Sequence, residues 1–142
     1  MKRTIVLALM LAIVPLVGCP SNQTIQNAGN AADIASAALD GFSKGEIAAY
    51  NQGLIPADDH QYIQQSLLTI GRAGKATDAC IAIAQTNAGV VTCINMTLTT
   101  VNQLQADGAL HLKSAKAKND FALAMTGAQT ALATINALLG GK

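Results

Sequence analysis

The carboxyl-terminal part of the chain carries the most regular pattern in the sequence. From Phe121 onward, apolar residues recur at alternating steps of four and three, which places them on one face of an α-helix. Ser114 is a suitable N-cap for this helix, and Gly140-Gly141-Lys142 is a suitable stop. An amphipathic helix must bury its apolar face against other elements. The stripe to be buried consists of Phe121, Met125, Ala128, Leu132, Ile135 and Leu139.

Three earlier segments have helical spacing as well. Gly53 and Asn87-Ala88-Gly89 are turn signals between them, and Ala106-Asp107-Gly108 ends the third. Because the links are short, neighbouring helices should run antiparallel. We therefore predict an all-α, up-down-up-down bundle of about four helices, whose first three helices span residues 24–52, 56–86 and 90–105.

Two stretches leave alternatives open. The β-branched run Val90-Val91-Thr92 could also form a strand. No partner strand is visible in the sequence, so we interpret this run as the start of the third helix. The stretch Ala109–Lys113 is compatible with either helix or loop, and His111 within it is interpreted as a loop residue.

The amino terminus has the features of an export signal. Lys2 and Arg3 precede thirteen uncharged, apolar residues, Ile5 to Val17. A transmembrane helix needs about 20 such residues, so this run is too short to span a bilayer and fits the apolar region of a signal peptide. The alternative is a cytosolic protein whose first helix happens to be apolar.

The apolar run ends in Leu16-Val17-Gly18-Cys19. This tetrapeptide resembles the lipobox of bacterial lipoproteins. The resemblance implies a signal peptide over residues 1–18, a lipidated Cys19 and a mature protein anchored on the membrane. Residues 19–23 would then form the lipidated cysteine and a short tether, and residues 24–142 a single domain. An acidic residue after the cysteine often signals inner-membrane retention in this class, and Pro20 stands there instead, which favours the periplasmic face of the outer membrane.

If Cys19 carries lipid, Cys80 and Cys93 remain as an even pair in an oxidising compartment. In one continuous helix, thirteen residues would separate them by about 20 Å. A disulfide needs Cα atoms within about 7 Å, and a turn signal lies midway between the two residues. We therefore predict a Cys80–Cys93 disulfide across a helical reversal, the alternative being two free buried thiols.

Charge and composition disfavour nucleic acid as a partner. Without Lys2 and Arg3, the chain has seven basic and eight acidic residues, a net charge of about −1, whereas domains that bind nucleic acid are usually clearly basic. Only four aromatic residues are present, none of them tryptophan. Surfaces on which bases could stack are therefore scarce.

Few residues suggest chemistry. The cluster Asp58-Asp59-His60 could hold an acid–base pair, but consecutive helical residues point about 100° apart. We interpret it as a helix start favoured by the dipole. His60 and His111 have no metal-ligand spacing relative to the cysteines. Met96 and Met125 could ligate haem, although methionines at helical spacing are ordinarily core residues.

Lysines crowd the start of the last helix, where the dipole disfavours cations. Lys113, Lys116 and Lys118 thus point to an anionic surface as a partner. Together these features predict a non-enzymatic envelope lipoprotein without a cofactor, serving as a structural or binding module with an envelope protein as the other candidate partner. The alternative is a carrier of an apolar or haem-like ligand in the bundle core.

Overall fold

The computed structural model of the protein describes residues 22–84 and 86–140, with side chains from residue 34 onward. These residues form four helices and no strand: α1 Asn22–Asn51, α2 Ala57–Ile83, α3 Asn87–His111 and α4 Ala115–Leu138. α1 packs mainly on α4, α4 on α3 and α3 on α2, whereas few contacts join α1 to α2. The predicted all-α helical bundle is confirmed. The predicted signal peptide and Cys19 lie outside the described residues.

The apolar stripe of α4 forms the centre of the core. All six of its predicted members are buried, and they pack in one cluster with Leu39 of α1, Ile63 and Ile70 of α2, and Val101 of α3. By length and composition alone, α4 is also long and apolar enough to cross a membrane. Eight of its residues are buried against the other helices, and a core helix of a bundle has the same composition.

Two helix ends agree with the sequence. Ser114 caps α4 by accepting a hydrogen bond from the backbone N–H of Ala117 at 3.1 Å. Gly53 follows α1 in the left-handed conformation, with φ of 72°. The backbone N–H groups of Gly53 and Leu54 donate to the carbonyls of Tyr50 and Ala49. This hydrogen-bond pattern is a Schellman motif, which ends α1 and turns the chain into α2.

Apart from the end of α3, three helix boundaries differ from the prediction. α1 begins at Asn22, inside the predicted tether. The Asn87-Ala88-Gly89 segment does not form a turn but begins α3, because Thr86 accepts a hydrogen bond from the N–H of Gly89 and acts as the N-cap. α2 accordingly ends at Ile83. The chain still reverses between Cys80 and Cys93.

Gly108 is a packing residue and not a helix end. α3 continues to His111, so the prediction that His111 lies in a loop was wrong. A Cβ atom at position 108 would lie 2.5 Å from Cε1 of Phe121, whose ring is buried against the backbone there. The glycine allows this close approach of α3 and α4. Its place in the sequence therefore reflects packing between two helices and not the end of α3.

The bundle has two chemically distinct ends. One end, which we call the charged pole, contains the α1–α2 and α3–α4 loops, which lie side by side, and the helical turns that adjoin them. At the other, the disulfide pole, the α2–α3 loop is joined by the start of α1 and the end of α4. The antiparallel arrangement places these ends roughly 40 Å apart, since α2 has 27 residues at 1.5 Å each.

Candidate functional site

The Asp58-Asp59-His60 cluster lies at the charged pole, and its three side chains make separate contacts there. Asp58 forms an exposed ion pair with Lys113 at 2.5 Å. Asp59 is buried against the α3–α4 loop, and His60 contacts α1. The three residues therefore do not converge on one reactive centre, as their helical spacing indicates. Asp58 and Asp59 instead tie the start of α2 to the α3–α4 loop, and His60 ties it to α1.

Asp59 joins the start of α2 to the start of α4. Its Oδ1 accepts a hydrogen bond from the backbone N–H of Lys113, and its Oδ2 accepts one from that of Ser114, both at 2.8 Å. Burial raises the pKa of Asp59, but these backbone hydrogen bonds outweigh that effect and hold the pKa below its ordinary value. The carboxylate thus remains charged while it is fully buried.

A second buried carboxylate links α1 to α2. The side chain of Glu46 is fully buried, and its Oε1 lies 2.6 Å from Nδ1 of His60. Its other oxygen accepts a hydrogen bond from Nε2 of Gln64 at 2.7 Å. The ring of Tyr50 stacks on the imidazole, with 4.0 Å between the ring centroids. Because α1 and α2 share few other contacts, this polar cluster is an important connection between them.

The chemistry of this cluster favours a structural connection. In a carboxylate–imidazole pair, the carboxylate binds one ring nitrogen and so fixes the orientation of the ring. The other nitrogen, Nε2, is then the one that can interact with a further group. Such a pair also occurs in catalytic sites, where it serves a nucleophile. Here both oxygens of Glu46 are used within the cluster, and Tyr50 covers one face of the imidazole ring. The cluster therefore joins two helices through hydrogen bonds and ring stacking.

Sequence reasoning missed the partners of both carboxylates. Glu46 lies four residues after Phe42 and three before Ala49, which is a position on the apolar stripe of α1. Asp59 precedes Ile63 by four residues and belongs to the stripe of α2 in the same way. A charged residue at a core position was the available signal, since buried carboxylates require hydrogen-bond partners.

The lysines at the start of α4 have nearby carboxylates. Lys113 pairs with Asp58 and Lys116 with Asp120, four residues further along α4. The pKa of Lys113 is raised by the hydrogen bond and charge of Asp58. The unfavourable interaction with the helix dipole is therefore partly offset within the protein. Lys118 is exposed beside these pairs.

An aromatic group packs below the charged pole. The Tyr62 ring stacks on His111 at a centroid distance of 5.4 Å and meets Phe121 edge-on at 6.0 Å. Phe42 completes the group from α1. Burial raises the pKa of Tyr62, an effect that the Ser66 hydroxyl partly offsets. His111 is therefore a packing partner of Tyr62 at the end of α3.

The disulfide pole contains the predicted bond. Cys80 and Cys93 form a disulfide with 5.7 Å between their Cα atoms. Beside it, the buried Thr77 hydroxyl contacts the carbonyl of Cys93 at 3.1 Å and the Thr97 hydroxyl at 2.6 Å. Covalent and hydrogen bonds thus join the end of α2 to the first turns of α3.

The two methionines considered as haem ligands occupy different environments. Met125 is fully buried in the core, whereas Met96 is 53% exposed on α3. One is inside the bundle and the other on its surface, so they do not face a common site. Among the side chains that the structure describes, in residues 34–84 and 86–140, no three histidine, cysteine or acidic groups are placed so that they could hold a metal ion.

Comparison with known proteins gives no match: no protein family, curated protein or solved structure is significantly similar to the chain. The function must therefore be inferred from the residues of this chain.

Proposed function

We propose that this chain is a small lipid-anchored protein of the bacterial cell envelope that acts as a non-enzymatic structural or binding module. The observation that carries the proposal is the leader, in which Lys2 and Arg3, thirteen apolar residues and Leu16-Val17-Gly18-Cys19 occur in the order and spacing of a lipoprotein signal. Cleavage before Cys19 would leave the thiol as the attachment point for lipid. Pro20 favours the periplasmic face of the outer membrane.

The position of the helices supports this proposal. α1 begins at Asn22, three residues after Cys19, and the other three described helices follow it in the sequence. Cleavage before Cys19 would therefore leave each of these helices intact.

The disulfide supports the proposal as well. The cysteines other than Cys19 lie in one disulfide, and disulfides persist in exported proteins but are rare in the cytosol. Of the three cysteines in the chain, Cys19 would be the one left to carry lipid.

The arrangement of the charged pole favours a structural or binding role over catalysis. The acidic side chains of Asp58, Asp59 and Glu46 connect helices or pair with lysine. Because α1 enters the bundle at the disulfide pole, a lipid on Cys19 would keep that end near the membrane. The charged pole would then face away from the membrane, towards an envelope protein or an anionic surface.

Replacement of the cysteine tests the anchor directly. We expect Cys19→Ser to abolish incorporation of labelled fatty acid and to move the protein from the detergent phase to the aqueous phase, because the acyl chains supply the membrane affinity. The matched control is a chain with both Cys80→Ser and Cys93→Ser, which should still be lipidated. A Cys19→Ser protein that incorporates label and partitions like the wild type would contradict the proposal.

A further inference from the structure

Among the side chains that the structure describes, the surface around the α2–α3 loop is uncharged. From Ala79 to Ala106 the sequence contains no acidic or basic residue. Ile83, at the end of α2, is 80% exposed at the tip of this pole. Its exposed neighbours around the α2–α3 loop are small or uncharged, and include Ala82, Thr86 and Ala88. A large aliphatic side chain is thus presented to the outside on a surface without ionic groups.

Charged residues lie at a distance from this tip on each helix. At 1.5 Å per residue, Asp78 of α2 is about 8 Å from Ile83 along the helix axis. Asp107 lies about 30 Å from the start of α3, and Asp120 about 27 Å from the end of α4. The first charged position of α1 is Asp33, about 16 Å from its start. In sequence, Lys142 is the one basic residue that follows Asp120.

The nearest acidic group, Asp78, is itself partly buried, and burial raises its pKa. Its side chain is therefore not fully exposed on the surface of this pole. The charged pole differs in this respect. Leu54 and Leu110 are also exposed there, but they share their end of the bundle with the Asp58–Lys113 pair. Contact with lipid at that pole would desolvate ionic groups.

The position of the anchor selects the same end. Only Pro20 and Ser21 separate Cys19 from Asn22, the first residue of α1. Three residue steps span at most about 10 Å, so lipid on Cys19 would hold the start of α1 close to the headgroups. The antiparallel arrangement places the α2–α3 loop at that same end.

We propose that the disulfide pole rests on the lipid surface with Ile83 inserted among the headgroups, and that the charged pole is directed away from the membrane. This inference rests on the lipid anchor of the proposed function. The anchor supplies the membrane affinity, whereas the pole sets the orientation, because a tethered surface meets the bilayer at a high effective concentration. Ile83 then adds apolar contact with the lipid at this end.

The absence of tryptophan from the chain allows a direct test. Ile83→Trp introduces a single fluorophore at the disulfide pole, and Leu110→Trp introduces the matched control at the charged pole, where the native side chain is 81% exposed. Each natively lipidated protein is reconstituted into phosphatidylethanolamine–phosphatidylglycerol vesicles with brominated acyl chains. We expect the Ile83→Trp protein to lose most of its emission and shift to shorter wavelength, and the Leu110→Trp protein to change little.

A second arm separates this inference from the anchor itself. With Cys80 and Cys93 in a disulfide, a chain beginning at Cys19 has one free thiol, which can be coupled to a maleimide-headgroup lipid in the same vesicles. The same quenching difference between the two tryptophan variants supports the orientation. Equal quenching of both variants, or quenching of neither, would overturn it. Failure of the native full-length protein to float with vesicles would instead overturn the proposed function.

Discussion

The two poles of the bundle solve the same structural problem by different chemistry. At the disulfide pole, a covalent bond between Cys80 and Cys93 joins α2 to α3 across one chain reversal. At the charged pole, Asp59 joins α2 to the α3–α4 loop through two hydrogen bonds between residues more than fifty positions apart. One connection is local in sequence and redox-sensitive. The other is long-range and depends on ionisation.

This difference suits the proposed orientation. A disulfide stabilises a loop without adding charge, so the end of the bundle that we propose to lie nearest the lipid can remain uncharged. Buried carboxylates are stable when their hydrogen bonds are complete, and the bundle contains them where the surface is hydrated and ionic. We infer that the means of stabilising each pole matches the solvent that the pole meets.

The largest effect is expected from breaking the connection at the charged pole. Asp59→Ala leaves the part-buried backbone N–H groups of Lys113 and Ser114 without their acceptor and removes two charge-assisted hydrogen bonds. Since each such bond contributes about 1.5–3 kcal/mol, we expect the free energy of unfolding to fall by about 4 kcal/mol. Urea denaturation followed by circular dichroism measures this loss.

The neighbouring residue provides the control for Asp59. Asp58→Ala removes an exposed ion pair with Lys113, and exposed pairs contribute little to stability. We expect no measurable change in the denaturation midpoint of that variant. If the two variants were equally stable, the interpretation of Asp59 as the connection between α2 and α4 would be wrong.

A somewhat smaller effect is expected at the disulfide pole. Reduction of the Cys80–Cys93 bond opens a loop of thirteen residues, which costs about 3 kcal/mol in the chain-entropy model. Helix content at room temperature should change little, because the packed core remains. Thermal melts with and without reductant measure the loss, and alkylation before and after reduction, read by mass spectrometry, measures the bond. Two freely alkylated thiols in protein taken from its native envelope would contradict the assignment.

These two connections differ in how far the sequence predicted them. The stripe of α4 is indicated by spacing alone. The disulfide joins residues close in sequence, and its prediction combined the leader, the even pair of remaining cysteines and the turn signal between them. The contact of Asp59 with Lys113 and Ser114 joins residues 54 and 55 positions apart, and no local pattern reports such a pair. The same holds for Gly108. In the sequence it resembles a helix stop, whereas its role is to accommodate the ring of Phe121, which belongs to another helix. A charge or a glycine at a core position signals a tertiary contact, but it does not identify the partner.

The smallest predicted effect distinguishes the poles by pH. The folded-state pKa of Asp59 is lowered, so its contribution to stability is complete above the unfolded-state value of about 3.9 and is lost as the pH falls through the folded-state value. We therefore expect the difference in unfolding free energy between wild type and Asp59→Asn to shrink as the pH is lowered below about 4. The disulfide does not titrate, so the difference between wild type and the variant with Cys80→Ser and Cys93→Ser should stay constant. Urea denaturation of the three proteins at matched pH values measures both differences. A constant gap for Asp59→Asn would show that its buried carboxylate does not make the charged pole sensitive to acid.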